Sequence, residues 1–209
     1  MLKNTNDKWL DLNKLFFQIL NAQLPNSELL VLKFFTADIR ASIATHAQEA
    51  QHSQQDYQRA LKIIHKDKIQ IIKGYYALDK ARLLAYQKPP DKSARLDVWK
   101  LEEKQTDVNM ALEAYRDAVK NNAEQLVFVS NDTDLAPALA AIKEDLGDTI
   151  KLGVIIPTRK NANGRPGNQQ LSKYADWTRK YITNEELAES QLPQKIPTKK
   201  KPILKPKYW

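Results

Sequence analysis

Residues 126 to 139, LVFVSNDTDLAPAL, leave the chain few choices of fold. Leu126 to Val129 is an unbroken apolar run of strand length, and a helical apolar pattern begins at Leu135. A run without polar alternation suits a strand buried on both faces, as in parallel sheets covered by helices. The pattern recurs along the chain. Residues 7–20 predict an amphipathic helix with Leu12, Leu15, Phe16 and Ile19 on one face. Residues 28–35 predict a buried strand, 52–66 a helix and 69–76 a second strand ending in glycine and aromatics. Residues 77–100 are polar and contain QKPPDK, a loop signal. A helix is expected over 106–122, with Thr106 as its N-cap and Val108, Leu112, Tyr115 and Val119 as its apolar stripe. A strand at 126–130, a helix at 134–146 and a strand at 149–157 follow, then a basic loop at 158–170 and a short strand at 177–182. Strands alternating with helices define an α/β fold with a mainly parallel sheet.

The length of 209 residues is that of one domain with a tail. Absence of cysteine removes disulfides and thiolate metal sites and fits a reducing cytoplasm. Apolar runs fall well short of the roughly 18 residues of a membrane span, and the N-terminus has no signal-peptide pattern. The net charge of +8 sits at the C-terminus: residues 191–209 hold six lysines, four prolines and no acid. The rest of the chain, with 27 basic and 25 acidic residues, is nearly balanced. Residues 191–209 are therefore expected to be a flexible basic tail, either solubilising or in contact with phosphate.

Asp132 and Asp134 stand where a buried strand turns into a helix, and Asp107 opens another helix. In an open α/β sheet, function gathers beyond the carboxyl ends of the strands. If the two helix starts share that edge, the three carboxylates converge. Close carboxylates repel unless a cation or shifted pKa values relieve them, and Mg²⁺ favours a few carboxylate oxygens plus waters. Taken singly, each aspartate also suits a helix cap; NDTD places two acids where one cap would serve. His46, His52 and His65 show no ligand spacing, and NGRPG (163–167) lacks the strand and helix of a phosphate loop.

EEKQTDVNMALEAYRDAV, followed by LVFVSNDTDLAPAL, resembles the NYN domain family, PIN-like ribonucleases, in its LabA-like bacterial branch. Further matches are KWLDLNKLF, LKFFTADI, IIKGYYA, LGVIIP, LSKYADWTRKYI and SQLP, so the resemblance runs over about residues 8–193. It implies a Rossmann-like, three-layer PIN fold over residues 1–190 and cleavage of RNA with Mg²⁺ or Mn²⁺. Asp107, Asp132 and Asp134 would be the catalytic, metal-binding acids, and Asp176 of YADW a further metal ligand. Ser130 and Asn131 would shape the turn and Thr106 would cap the helix. Lys104, Arg159, Lys160 and Arg165 would meet RNA. A cytoplasmic protein, with a homodimer allowed, completes this expectation.

Family members begin with a strand ending in an Asp-Gly-Phe-Asn type motif, whose Asp is the first metal ligand. Here Trp9 follows Met1 by only eight residues, and that strand is absent. The chain is therefore expected to be a truncated reading of a longer protein. Its sheet should be left open between two neighbouring strands whose backbone groups lack partners. An RNA-binding module of the same fold, impaired in catalysis by the missing Asp, is the alternative.

Overall fold

The structure, a computed structural model, describes residues 2, 5–160, 169–207 and 209. The first helix, α1 (Leu12–Gln23), starts later than its apolar pattern because Asp11 accepts a hydrogen bond from the Lys14 N–H at 3.0 Å and caps it. The next strand, β1 (Leu32–Ala37), leads to α2 (Ala47–His65). Then β2 (Ile69–Leu84) and β3 (Arg95–Lys104) form a long antiparallel ribbon. The second half runs α3 (Thr106–Val119), β4 (Gln125–Val129), α4 (Ala136–Leu146), β5 (Lys151–Ile155), α5 (Gln169–Ser172) and β6 (Trp177–Arg179). It closes with α6 (Asn184–Glu189) and a small hairpin of β7 (Lys195–Ile196) and β8 (Ile203–Leu204). Among the described residues no helix is long and apolar enough to cross a membrane.

The main strands form two three-stranded halves, β1-β2-β3 and β4-β5-β6, which share no strand pairing among the described residues. β1 with β2, β4 with β5 and β5 with β6 are parallel. The halves share their helical layers. Phe128 of β4 packs with α3 and α4 residues, whereas Val127 and Val129 turn to the Leu15 and Ile19 side of α1. On β1, Lys33 meets Glu113 and Asp117 of α3, while Leu32 and Phe34 face Tyr57 and Trp9. Leu12 of α1 packs into the clusters of both halves. Helices therefore sandwich both half-sheets, which is the three-layer α/β arrangement. Among the described residues the edge strands are β1 and β3 of one half and β4 and β6 of the other.

Four expectations change. Residues 77–84 and 95–100 belong to the strands of the ribbon of β2 and β3, and QKPPDK (87–92) is the loop at its tip. A ribbon standing clear of the helices shows no one-sided apolar alternation, so cross-strand pairing there leaves no hydrophobic signature. Thr106 is not the N-cap of α3. The cap position is Gln105, in the left-handed region at φ 72°, and Thr106 already lies in the first turn. The chain reverses from ribbon to helix within that one residue, and the Thr106 hydroxyl donates instead to Glu103 at 2.5 Å. The apolar stripe of α3 is also displaced: Val108, Leu112 and Val119 are exposed, and Tyr115 packs inward together with Met110, Ala111, Ala114 and Ala118. Small side chains let this helix sit close to its neighbours, so packing rather than residue size selects its buried face.

The fourth change concerns the tail. Ile196 and Ile203 are buried, and the Trp209 ring lies 6.1 Å from Trp9 and 5.3 Å from Tyr57. The Trp9 indole N–H donates to the Pro193 carbonyl at 2.9 Å. The described residues from 191 onward are thus a strap over a core cluster, anchored by a few apolar residues among many lysines. Net charge hid those anchors, because lysine side chains project to solvent while their apolar neighbours turn inward.

Candidate active site

The acid turn begins where β4 ends. The Ser130 N–H donates to the Ile155 carbonyl at 3.1 Å, holding the chain beside the end of β5. The Ser130 hydroxyl accepts from the Asp132 N–H at 3.0 Å. One Asp132 oxygen accepts from the Asp134 N–H at 3.0 Å, capping a short 3-10 turn, Thr133–Leu135, that leads into α4. Leu135, wholly buried, pins this turn to the core. Asn131 lies within the same turn.

Asp107 stands in the first turn of α3, immediately after the Gln105 reversal. Partial burial pushes its carboxyl above the usual aspartate range, helped by the negative charges of Asp132, Glu103 and Asp134. The two helix starts therefore share one edge, and a fourth acid joins them. Glu103 ends the ribbon and accepts from the Tyr76 hydroxyl at 3.2 Å as well as from Thr106. Sequence reasoning missed Glu103 as a member of this group. Its signal was its place four residues before Asp107, legible only once 95–104 is known to be a strand.

Gly74 makes this junction possible. A Cβ there would strike the Lys104 carbonyl oxygen and stand 2.6 Å from the Thr106 hydroxyl. β2 leaves β1 at this residue and pairs with β3 from the next one onward.

Other expected site residues lie apart from the acids. Asp176 sits beside Leu152, near the beginning of β5, whereas the acid turn lies beyond the end of β4. Burial works against its ionised form. The Leu152 N–H at 2.6 Å and the Lys143 ammonium at 2.8 Å nevertheless hold its carboxyl below the usual range. That is a strut between α4 and the sheet. Lys104 pairs with Glu102, and strand alternation puts it on the ribbon face opposite Glu103. Arg159 pairs with Asp7 and donates to Asn184 at 3.0 Å, tying three segments together. The Lys160 ammonium lies 5.5 Å from the centre of the Tyr181 ring. Arg165 lies outside the described residues.

Among the described residues, no three His, Cys, Asp or Glu side chains stand close enough to hold a metal ion as they lie. The donor chemistry nevertheless fits a hard divalent cation. Asp107, Asp132 and Asp134 offer only carboxylate oxygen, and repulsion from the neighbouring acids adds to burial in raising the Asp107 carboxyl.

This repulsion has a testable consequence. A group whose folded pKa is raised stabilises the fold when protonated, below its unfolded value, and that contribution is lost as pH rises through the folded value. At neutral pH the ionised Asp107 therefore costs stability. In EDTA at neutral pH, Asp107→Asn is expected to melt above the wild type. The gap should close as pH falls below the ordinary aspartate value of about 3.9. Melting curves across pH check this, and a neutral-pH melting point below that of the wild type would contradict it.

Comparison with known proteins bears on the same residues. Residues 30–165 match the family profile of the NYN domain, a span that includes Asp107, Asp132 and Asp134. A curated relative from Pseudomonas putida, 6-hydroxy-3-succinoylpyridine 3-monooxygenase HspA, is 39% identical over 225 residues. That alignment takes in 100% of this chain and 70% of the relative. A solved structure, a protein of unknown function from Vibrio parahaemolyticus, aligns with a TM-score of 0.42 at 14% identity. The alignment covers 79% of this chain and 75% of the other, a likeness too slight to carry an argument.

Proposed function

The chain belongs to the NYN domain family, and from that premise we propose that it is a metal-dependent endoribonuclease. The observation that carries the reading is the convergence of Asp107, Asp132, Asp134 and Glu103 at one edge of the sheet. Asp107, Asp132 and Asp134 would hold Mg²⁺ or Mn²⁺, which when bound supplies charge stabilisation at phosphorus and a more acidic water. The protein's own part is positional. The Asp134 N–H fixes one Asp132 oxygen and leaves the other free to face substrate. Ser130 sets the turn from below, and Tyr76 and Thr106 hold Glu103 beside Asp107. In the hydrolysis a water oxygen bonds to phosphorus, one P–O ester bond breaks, and the leaving oxygen takes up a proton.

The test is cleavage of labelled single-stranded and hairpin RNA, with Mn²⁺ or EDTA, by wild type and Asp132→Asn. Changing a residue that merely orients a metal ligand costs about 10–100-fold, so loss of a ligand itself is expected to lower cleavage by at least about a hundredfold. RNA that is bound but left uncut across Mg²⁺ and Mn²⁺ titrations overturns the reading. That result would favour an RNA-binding module without catalysis. The relative's name motivates a different activity, hydroxylation of a hydroxypyridine. Incubation with 6-hydroxy-3-succinoylpyridine, dioxygen and a reductant tests it: a hydroxylated product that persists in Asp132→Asn would replace the nuclease reading.

A further inference from the structure

The ribbon of β2 and β3 outreaches everything it is paired with. β1 stops at the Ala37–Gly74 pair, and from Tyr75–Lys104 to Leu84–Arg95 the two strands have, among the described residues, only each other as ladder partners. Isolated two-stranded ribbons are marginal in water, so a ribbon of this length invites a contact on its faces.

One face leads away from the acid group. Residues directly opposite in an antiparallel pair share a face, and each strand alternates with a period of two. Tyr76 and Glu103 are such a pair, and Glu103 lies at the acids. On the same face follow Leu78 with Leu101, Lys80 with Trp99, and Arg82 with Asp97. Trp99 is 72% exposed, an unusual state for so large an apolar ring. Four residues separate it from Glu103, about 13 Å along a strand, a reach that a few nucleotides span. Lys80 stands directly across from Trp99; its ion pair with Asp97, at 3.8 Å and well exposed, is weak.

Charge is graded along the same path. Residues 80–99, from Lys80 round the tip to its partner Trp99, carry Lys80, Arg82, Lys88, Lys92 and Arg95 against Asp91 and Asp97. The Asp91 carboxylate is engaged by the backbone N–H and hydroxyl of Ser93. Tyr86 at the tip is 92% exposed. The ribbon thus runs from an acidic base to a basic tip, with an aromatic ring between. Protein-binding patches are depleted of charge at their cores. Here charged side chains interleave with the apolar ones, the combination that binds single strands by stacking and phosphate contact.

We infer that the ribbon is an arm for single-stranded RNA, with Trp99 stacking on a base and Lys80 and Arg82 meeting phosphates on the way to the acids. The inference deepens the nuclease reading and rests on it for the direction of the path. It assigns unpaired RNA, rather than duplex, as the substrate class, because stacking on Trp99 needs a base released from its partner.

The experiment is fluorescence anisotropy of a short fluorescein-labelled oligoadenylate with the full chain in EDTA, so that binding is read without turnover. Stacking contributes an amount that makes Trp99→Ala bind about 5- to 150-fold more weakly. Trp99→Phe should restore most of that affinity, and Lys80→Ala should flatten the dependence on salt. A duplex of the same length should bind more weakly and be indifferent to Trp99. Equal affinity of Trp99→Ala and wild type, or no binding of the oligonucleotide by wild type, overturns the arm. So does dissociation of a dimer by Trp99→Ala in sedimentation with RNA affinity unchanged, which would assign the ribbon to self-association. Loss of cleavage in Asp132→Asn and loss of binding in Trp99→Ala report on the nuclease and on the arm separately.

Discussion

A chain ending at Pro193 is expected to lose most of its stability, although the segment removed reads as a charged tail. The deletion takes away Ile196, Ile203 and Trp209 and uncovers Trp9 and Tyr57, both buried in the same cluster. Full burial of a large apolar side chain is worth about 1.5–3 kcal/mol, and the deletion removes two fully buried isoleucines and the partly buried Trp209. Whole-protein stabilities are about 5–15 kcal/mol, so the loss is of the same order as the total. Trp9→Ala reaches the same cluster with the chain length intact. It is expected to cost about 3–5 kcal/mol, because it leaves a cavity against Tyr57 and Trp209, whose rings lie 5.7 and 6.1 Å away. Urea unfolding followed by circular dichroism measures both. A truncated protein with the wild-type midpoint would show that the strap does not hold the cluster, whereas mutation of exposed Lys199, Lys200 and Lys201 should leave the midpoint unmoved.

The second large effect belongs to Gly74→Ala. One methyl group is added where β2 changes partners, against the Lys104 carbonyl and the Thr106 hydroxyl and N–H. The carbonyl and the N–H belong to backbone, which cannot swing aside as a long side chain can. The junction from Lys104 to Thr106 must shift, and Asp107 follows it directly as the second residue of α3. Overpacking of this kind costs about 1–3 kcal/mol, which the fold survives. A misplacement of about 1 Å can cost about a hundredfold in rate, so cleavage should fall far more than stability does. The pairing of a modest change in urea midpoint with a hundredfold loss of metal-dependent cleavage is the expected signature. Full activity in Gly74→Ala would mean that the junction does not position Asp107.

Several features of the site were legible in the residues. LVFVSNDTD placed a buried strand before a two-acid turn, and the turn forms as its spacing suggests, with Asp132 capping and Asp134 following. Asp107 at the head of a helix was equally visible, as was its convergence on that turn if the helices shared an edge. Glu103 was not visible, because its strand has no buried face to write a pattern into the sequence. Asp176 misled for the opposite reason: a lone acid near a strand looks the same whether it meets substrate or, as here, Lys143 and the Leu152 N–H. Arg159 looked free in a basic loop, and its partners Asp7 and Asn184 are remote in the chain.

By itself the sequence determined the α/β alternation, the positions of most strands and the two acid-bearing helix starts. Those signals are local: apolar periodicity and capping chemistry act within a few residues. The tertiary structure decided which face of α3 is buried, that the lysine-rich end is a strap, that the polar middle is a ribbon, and that Gly74 and Glu103 belong to the site. Each of these depends on a contact between residues far apart in the chain, whose free energy exists only when packing brings them together.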